Sequence, residues 1–88
     1  MILDGGWIVH SPVSDEYCSI LNKALEGVIG STFEPISVAI QVVNGINYLF
    51  IAKAIPTTDI PTIKLVKIFV SAVPAGSEPK LDKIEDIV

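Results

Sequence analysis

The sequence predicts an α+β fold, in which an antiparallel β-sheet of four to five strands packs against one long α-helix. Three observations predict it. A single amphipathic segment spans residues 14 to 30, strand-like runs follow from residue 35 onward, and short turns rich in Pro, Gly and Asn separate these runs. Strands joined by short turns pair antiparallel, and one amphipathic helix must bury its apolar stripe on a face of their sheet. With 88 residues, the chain (residues 1–88) forms a single domain with a thin core.

The first elements are a short strand and the helix. Trp7 to Val9 is typical of a strand, and the apolar period then changes to that of a helix. Ser14 is a good N-cap, and Asp15 and Glu16 follow where the helix dipole favours negative charge. We expect Gly30 to end the helix. The predicted buried stripe consists of Tyr17, Ile20, Leu21, Ala24, Leu25, Val28 and Ile29.

The first hairpin turns at Asn44 and Gly45, between the strands predicted for Pro35 to Val43 and Ile46 to Ala54. Asn-Gly between such runs predicts a type I′ turn, because both central residues of that turn require positive φ. Val42 and Val43 then lie at the tip, where an exposed apolar pair suggests a binding partner. A plain tight turn is the simpler interpretation of these residues. In the first strand the apolar residues Ile36, Val38, Ile40 and Val42 alternate with smaller or polar ones.

The rest of the chain continues as strands and turns. Residues 55 to 61 form a loop with two prolines, which cannot donate to a ladder of hydrogen bonds. Thr62 to Ala72 is predicted as a long strand rich in Ile, Val and Phe. Val73 to Ser77 makes a second turn, and Lys80 to Val88 returns as the last strand.

Charge and composition exclude several classes of partner. Ten acidic and six basic residues give a net charge of −4, which repels a phosphate backbone, so nucleic acid is not expected as a partner. No apolar run reaches the roughly 18 residues of a membrane span, so no membrane partner is expected. The N-terminus lacks a basic region followed by an apolar one, and Cys18 has no second cysteine to pair with. We therefore expect a cytoplasmic protein.

The sequence contains no arrangement typical of catalysis. His10 and Cys18 are single and lie on different predicted elements, so neither a metal site nor a nucleophile–base pair is expected. The glycines of a phosphate-binding loop follow a strand, but no strand is predicted before Gly5 and Gly6. The carboxylates near the C-terminus alternate with lysines, which is typical of a solvated face. We predict a protein that is not an enzyme and has no metal and no cofactor.

Three short segments occur in order along the chain: Gly5–Gly6, Gln41–Val42–Val43–Asn44–Gly45 and Pro74–Ala75–Gly76. Together they resemble the cystatins, protein inhibitors of papain-like cysteine proteases, and in particular the stefins, a branch without disulfides or signal peptides. Asn47–Tyr48 and Lys67–Ile68–Phe69 with Ser71 also resemble stefin strands, so the resemblance covers nearly the whole chain. Asn44 stands where stefins usually have Ala.

This resemblance implies a cystatin-like roll whose N-terminal segment and two hairpin tips form a wedge. Such a wedge blocks the cleft of cathepsin-type, papain-like proteases reversibly and competitively. Ile2 and Leu3 would fill substrate pockets, while the backbone at the two glycines would pass the catalytic cysteine. The implied protease-binding residues are Ile2, Leu3, Asp4, Gly5, Gly6, Gln41, Val42, Val43, Asn44, Gly45, Val73, Pro74, Ala75 and Gly76.

The alternative is a cystatin-fold protein without inhibitory activity, acting as a binding or assembly module. The high apolar content of the chain suits such a module, whereas the absence from the second loop of the Trp that secreted cystatins carry there predicts only a lower affinity of the inhibitor. The long unbroken strands also suit a domain-swapped dimer in place of a monomer. In that dimer the tip at Val42 and Val43 would become part of a continuous strand.

Overall fold

The computed structural model describes residues 6–58 and 62–87 and contains five antiparallel strands and one helix. The sheet order is β1-β2-β3-β4-β5, which confirms the predicted α+β class and antiparallel sheet. Ile2, Leu3, Asp4 and Gly5 of the predicted site, residues 59–61 of the predicted loop, and Val88 lie outside the described residues. The elements are β1 (Trp7–His10), α1 (Asp15–Ala24), β2 (Ser31–Val43), β3 (Gly45–Pro56), β4 (Lys64–Ala72) and β5 (Lys80–Asp86).

The helix begins as predicted but ends earlier. Ser14 is the N-cap and accepts a hydrogen bond from the backbone N–H of Tyr17 at 3.4 Å. The prediction that the helix continues to Gly30 is wrong, because α1 has 10 residues and ends at Ala24. Gly27 adopts a φ of +86°, which is incompatible with continuing the helix and which glycine adopts at little cost. Ile29 therefore lies outside the helix and is 91% exposed.

The core lies between α1 and one face of the sheet, called here the inner face. Val38, Phe50 and Ile68 pair directly across β2, β3 and β4, and all three are fully buried. Leu21 of the helix is buried against this face. The remaining buried apolar residues are Ala24, Tyr48, Ala52, Ala54, Val66 and Val70. Among the described residues, no helix is both long and apolar enough to cross a lipid bilayer.

Strands β2 and β3 are longer than predicted, and β2 contains an irregularity. The strand β2 starts at Ser31, and β3 runs on to Pro56, into the predicted loop. The register of β2 against β3 shifts between Pro35 and Ser37, so one additional residue is inserted there. The bulge explains why Ile36 is 40% exposed, although simple alternation places it on the same face as Val38.

Candidate functional site

One row of paired residues crosses the whole sheet near one of its ends. In strand order the row consists of Trp7, Gln41, Asn47, Ser71 and Lys80. Beyond this cross-strand row lie Gly6, the turn at Asn44 and the turn from Val73 to Gly76. The prediction that the two turns share one end of the sheet is confirmed, because Ile46, next to the first turn, pairs with Ala72, next to the second.

The first turn is tighter than an Asn-Gly turn of type I′. Val43 pairs with Gly45, so Asn44 is the single residue between the two strands. Only glycines among the described residues have a positive φ, and Gly45 has a φ of +122°. The predicted type I′ turn is therefore wrong at Asn44, whose φ is not positive. The predicted exposure of the apolar tip is confirmed, since Val42 is 39% and Val43 is 42% exposed.

Gly45 packs against the chain that leads into the second turn. A Cβ atom at Gly45 would collide with the carbonyl oxygen of Ala72 and lie 3.0 Å from the Cα of Val73. Only glycine allows this approach and also the backbone conformation at this position. The two turns therefore touch and form one continuous surface. We call this the tip surface, consisting of Val42, Val43, Asn44, Gly45, Val73, Pro74, Ala75 and Gly76.

The second turn is also apolar at its start. Val73 is 46% exposed and precedes Pro74 through a cis peptide bond. The backbone N–H of Ser77 donates a hydrogen bond to the carbonyl oxygen of Pro74 at 3.0 Å, which closes the turn. None of the eight residues of the tip surface carries a charged side chain.

Side-chain hydrogen bonds reinforce both hairpins just below the tip surface. The amide Nδ2 of Asn47 donates to Oε1 of Gln41 at 2.9 Å, across β2 and β3. The hydroxyl of Ser71 donates to Oδ1 of Asp82 at 3.1 Å, across β4 and β5. Asn47 was not among the predicted site residues. The available signal was its polar amide side chain between the apolar residues at the start of β3.

Trp7 is a second residue that the sequence prediction omitted. It pairs with Gln41 at the start of the edge strand β1, and it is 45% exposed. It therefore presents a large aromatic side chain in the cross-strand row next to the tip surface. Tryptophan is enriched among residues that dominate binding energy in protein interfaces. The sequence feature that could have identified Trp7 as a site residue is its position directly after Gly6.

A chain of aromatic rings connects the helix to the sheet. The ring centroids of His10 and Tyr17 lie 5.3 Å apart, and those of Tyr17 and Tyr48 lie 6.3 Å apart. Tyr48 in turn stacks on Phe50 at 6.1 Å. Burial raises the pKa of the Tyr48 phenol, and nearby Tyr17 and Glu16 raise this pKa further. The start of the helix is thus packed onto the strands that carry the first tip.

The described residues contain no cluster of three or more His, Cys, Asp or Glu side chains arranged to hold a metal ion. His10 contacts the Tyr17 ring, and Cys18 is half-buried on the helix. Searches of protein-family models, of curated proteins and of solved structures find no match to this chain. The features that remain as a candidate site are the tip surface and the adjoining Trp7.

Proposed function

We propose that this protein is a reversible, tight-binding inhibitor of papain-like cysteine proteases, with a stefin-like cystatin roll. The observation that carries the proposal is the contact of Gly45 with Ala72 and Val73, which joins two hairpin tips into one surface. That surface is uncharged, apolar except for Asn44, and partly exposed. It thus has the chemical character expected of a wedge that enters a substrate cleft.

In this proposal the wedge acts by occlusion and forms no covalent bond. The tip surface presses on the walls of the cleft, while the chain at Gly6 passes over the catalytic cysteine of the protease. We also propose that Ile2, Leu3, Asp4 and Gly5, which lie outside the described residues, bind the protease on the substrate side of the cleft. Inhibition is then competitive, because inhibitor and substrate occupy the same cleft.

Preorganisation supports tight binding by such a wedge. The bond between Asn47 and Gln41 and the bond between Ser71 and Asp82 hold the hairpins in register below their tips. A surface that is ordered before binding loses little conformational entropy in the complex. An interface of about 1,600 Å² then suffices for nanomolar or tighter affinity.

A non-inhibitory assembly module is the second candidate, and the one-residue turn favours it. Only Asn44 separates β2, of 13 residues, from β3, of 12 residues. Opening this turn would join the strands into one long strand that pairs with a second copy of the chain. Such a dimer has no tip at Val42 and Val43, and we therefore expect it not to inhibit.

The test is a titration of papain of known active-site concentration with monomer isolated by size-exclusion chromatography. Hydrolysis of a fluorogenic substrate reports the free protease. We expect stoichiometric loss of activity at nanomolar inhibitor, with recovery after dilution. A complete lack of inhibition by micromolar monomer contradicts the proposal. Inhibition confined to the dimer contradicts it as well.

A matched pair of variants locates the inhibitory surface. Val43→Asp places a carboxylate on the tip surface, where Val43 is 42% exposed, and Ile63→Asp places one at a 61% exposed position outside it. We expect Val43→Asp to weaken inhibition at least about tenfold, equivalent to about 1.4 kcal/mol. Ile63→Asp should inhibit like the unmodified protein. Equal effects of the two changes would exclude the tip surface as the binding site.

A further inference from the structure

A cavity of 310 Å³ opens on the inner face of the sheet, at the end opposite the tip surface. It is lined at its outermost edge by Ser31 and Pro56, which form the last pair of β2 and β3. Val43 and Gly45 form the pair at the other end of the same hairpin, next to its tip. Nearly the full length of β2 and β3 therefore separates the cavity from the tip surface.

The cavity follows from a mismatch between the lengths of the helix and the strands. The helix α1 has 10 residues and is therefore about 15 Å long. The strand β3 has 12 residues and extends for about 40 Å. A helix of this length covers less than half of such a strand. The chain turns away at Gly27, and part of the inner face beyond Ala24 is left without a helix over it.

The walls of the cavity are mostly apolar. Its lining includes Phe33, Ala54, Pro56, Val66 and Ile84. Phe33 pairs with Ala54 in the sheet, and the small side chain of Ala54 leaves space above the strand. Ala54 and Val66 are 8% and 2% exposed, so they form the floor, and Phe33 and Ile84 pack against the core beside them.

The polar groups of the cavity are few and carry no net charge. Lys64 Nζ lies 3.4 Å from Asp86 Oδ2, so the two charges of the lining compensate each other. Ser31 and Thr62, which carry hydroxyl groups, also belong to the lining. A charged ligand would be attracted by one member of this ion pair and repelled by the other. A neutral hydrogen-bonding group can bond to the polar lining without such repulsion.

We propose that this cavity binds a small neutral amphiphile, namely a medium-chain alcohol or ketone with about ten carbon atoms. The apolar body contacts Phe33, Ala54, Val66 and Ile84, and the oxygen lies at the polar lining. The length of the ligand follows from the cavity volume. A CH₂ group is about the size of a water molecule, which takes about 30 Å³ in a liquid, so about ten such groups fill the cavity. Cavities that bind small molecules typically measure about 300–1,000 Å³ and are largely apolar with a few polar groups.

The experiment is a titration of the ¹⁵N-labelled protein with 1-decanol, followed by amide chemical shifts. We expect saturable shifts at Phe33, Ala54, Val66 and Ile84, and no saturable shifts at the tip surface. Sodium decanoate should bind several-fold more weakly, because its carboxylate would lose hydration while the attraction to Lys64 is offset by repulsion from Asp86. The absence of saturable shifts at these amides up to the solubility limit of decanol would overturn the proposal. Tighter binding of decanoate than of decanol would overturn the choice of a neutral ligand.

Two cavity-filling variants and a control complete the test. Ala54→Met should weaken decanol binding at least tenfold, and the milder Ala54→Val should weaken it about threefold. Unchanged amide shifts far from the cavity show that each variant keeps the fold. Ala39→Met makes the same change at a position paired with Leu49, outside the cavity lining, and should leave decanol binding unchanged. Unchanged binding in both Ala54 variants contradicts the proposal. Papain inhibition by these variants is measured separately, because decanol binding in the cavity does not require the proposed inhibitory function.

Discussion

A Cβ atom on Gly45 would collide with the carbonyl oxygen of Ala72, so no side chain fits between the two hairpins at this position. The contact joins the turn between β2 and β3 to the end of β4. Since Ile46 pairs with Ala72, the contact continues the regular pairing of β3 with β4 up to the tips. The shape of the first tip therefore depends on the position of the second.

Replacing Gly45 with Ala should reduce both stability and inhibition. The new methyl group collides with Ala72, and a φ of +122° is unfavourable for any residue with a Cβ. Such backbone strain costs about 1–3 kcal/mol. Urea denaturation measures the stability, and papain titration measures the affinity.

Gly76→Ala is the matched control for this change. Gly76 also has a positive φ, of +88°, but a Cβ there meets no atom within 4 Å. We expect a smaller loss of stability in Gly76→Ala than in Gly45→Ala. Equal losses would mean that the positive φ, and not the contact between the tips, causes the loss of stability in Gly45→Ala.

Replacing Trp7 with Ala should weaken the complex with papain. The indole lies in the cross-strand row beside the tip surface and is 45% exposed, so it is placed to be buried by a bound protease. Truncation of a dominant interface residue costs about 2 kcal/mol or more, and the loss appears mainly as faster dissociation. Stopped-flow or surface-plasmon measurements give the dissociation rate. Val9→Ala, which removes a 67% exposed side chain two residues further from the tip, should leave the rate unchanged.

Replacing Asn47 with Ala should loosen the first tip. The change removes the hydrogen bond between Asn47 Nδ2 and Gln41 Oε1, and such a bond contributes about 0.5–1.5 kcal/mol to stability. We expect lower affinity for papain as well, because the tip becomes less ordered before binding. Isothermal titration calorimetry would show a less favourable binding entropy.

Thr32→Ala tests whether the location of this bond matters. The Thr32 hydroxyl donates to the carbonyl oxygen of Ile55 at 3.5 Å, on the same hairpin but at its other end. We expect Thr32→Ala to leave the affinity for papain unchanged. A similar drop in affinity in both variants would show that overall stability, and not order at the tip, is responsible.

Leu21→Ala and Ile29→Ala test the end of the helix. Leu21 is 1% exposed, and its truncation leaves a cavity that costs about 2–5 kcal/mol. Ile29 is 91% exposed, so its truncation should change stability by less than about 0.5 kcal/mol. Urea denaturation of the two variants provides the comparison. A large loss in Ile29→Ala would mean that the helical stripe continues to Gly30 after all.

Tyr48 should make the folded protein sensitive to alkaline pH. Burial raises the pKa of its phenol, so the folded state favours the protonated form more than the unfolded state does. This contribution to stability is complete below the ordinary tyrosine pKa of about 10 and is lost as the pH rises through the folded-state pKa. Urea midpoints measured from pH 8 to 11 should fall more steeply in the unmodified protein than in Tyr48→Phe. Parallel curves would contradict this role of Tyr48.

Local chemistry made several features predictable. Ser14 caps the helix because its hydroxyl reaches an N–H only three residues away, and this geometry needs no partner from another element. The hairpin at Asn44 and Gly45 was also predictable, because the runs on either side of it are rich in residues that favour strands. The position of both turns at one end of the sheet follows from antiparallel pairing of successive strands.

Features that depend on competition between local preference and packing were not predictable in the same way. Val28 and Ile29 continue the helical period, but the conformation of Gly27 ends the helix before them. From Ile36 to Val42 the apolar residues alternate regularly, but the bulge beside Ile36 breaks the register at the start of this run. In both cases the apolar pattern is compatible with two backbone paths, and the pattern alone does not distinguish their energies.

By itself, the sequence determined the α+β class, the start of the helix and the place of the tips, because these follow from contacts between residues that are close along the chain. The tertiary structure alone decided that Gly45 touches Ala72, that Trp7 lies beside the tip surface and that a cavity remains beyond the helix. Gly45 and Ala72 are far apart in sequence, and the cavity results from the relative lengths of packed elements. Such relationships depend on how elements pack in space, and no local pattern encodes that packing.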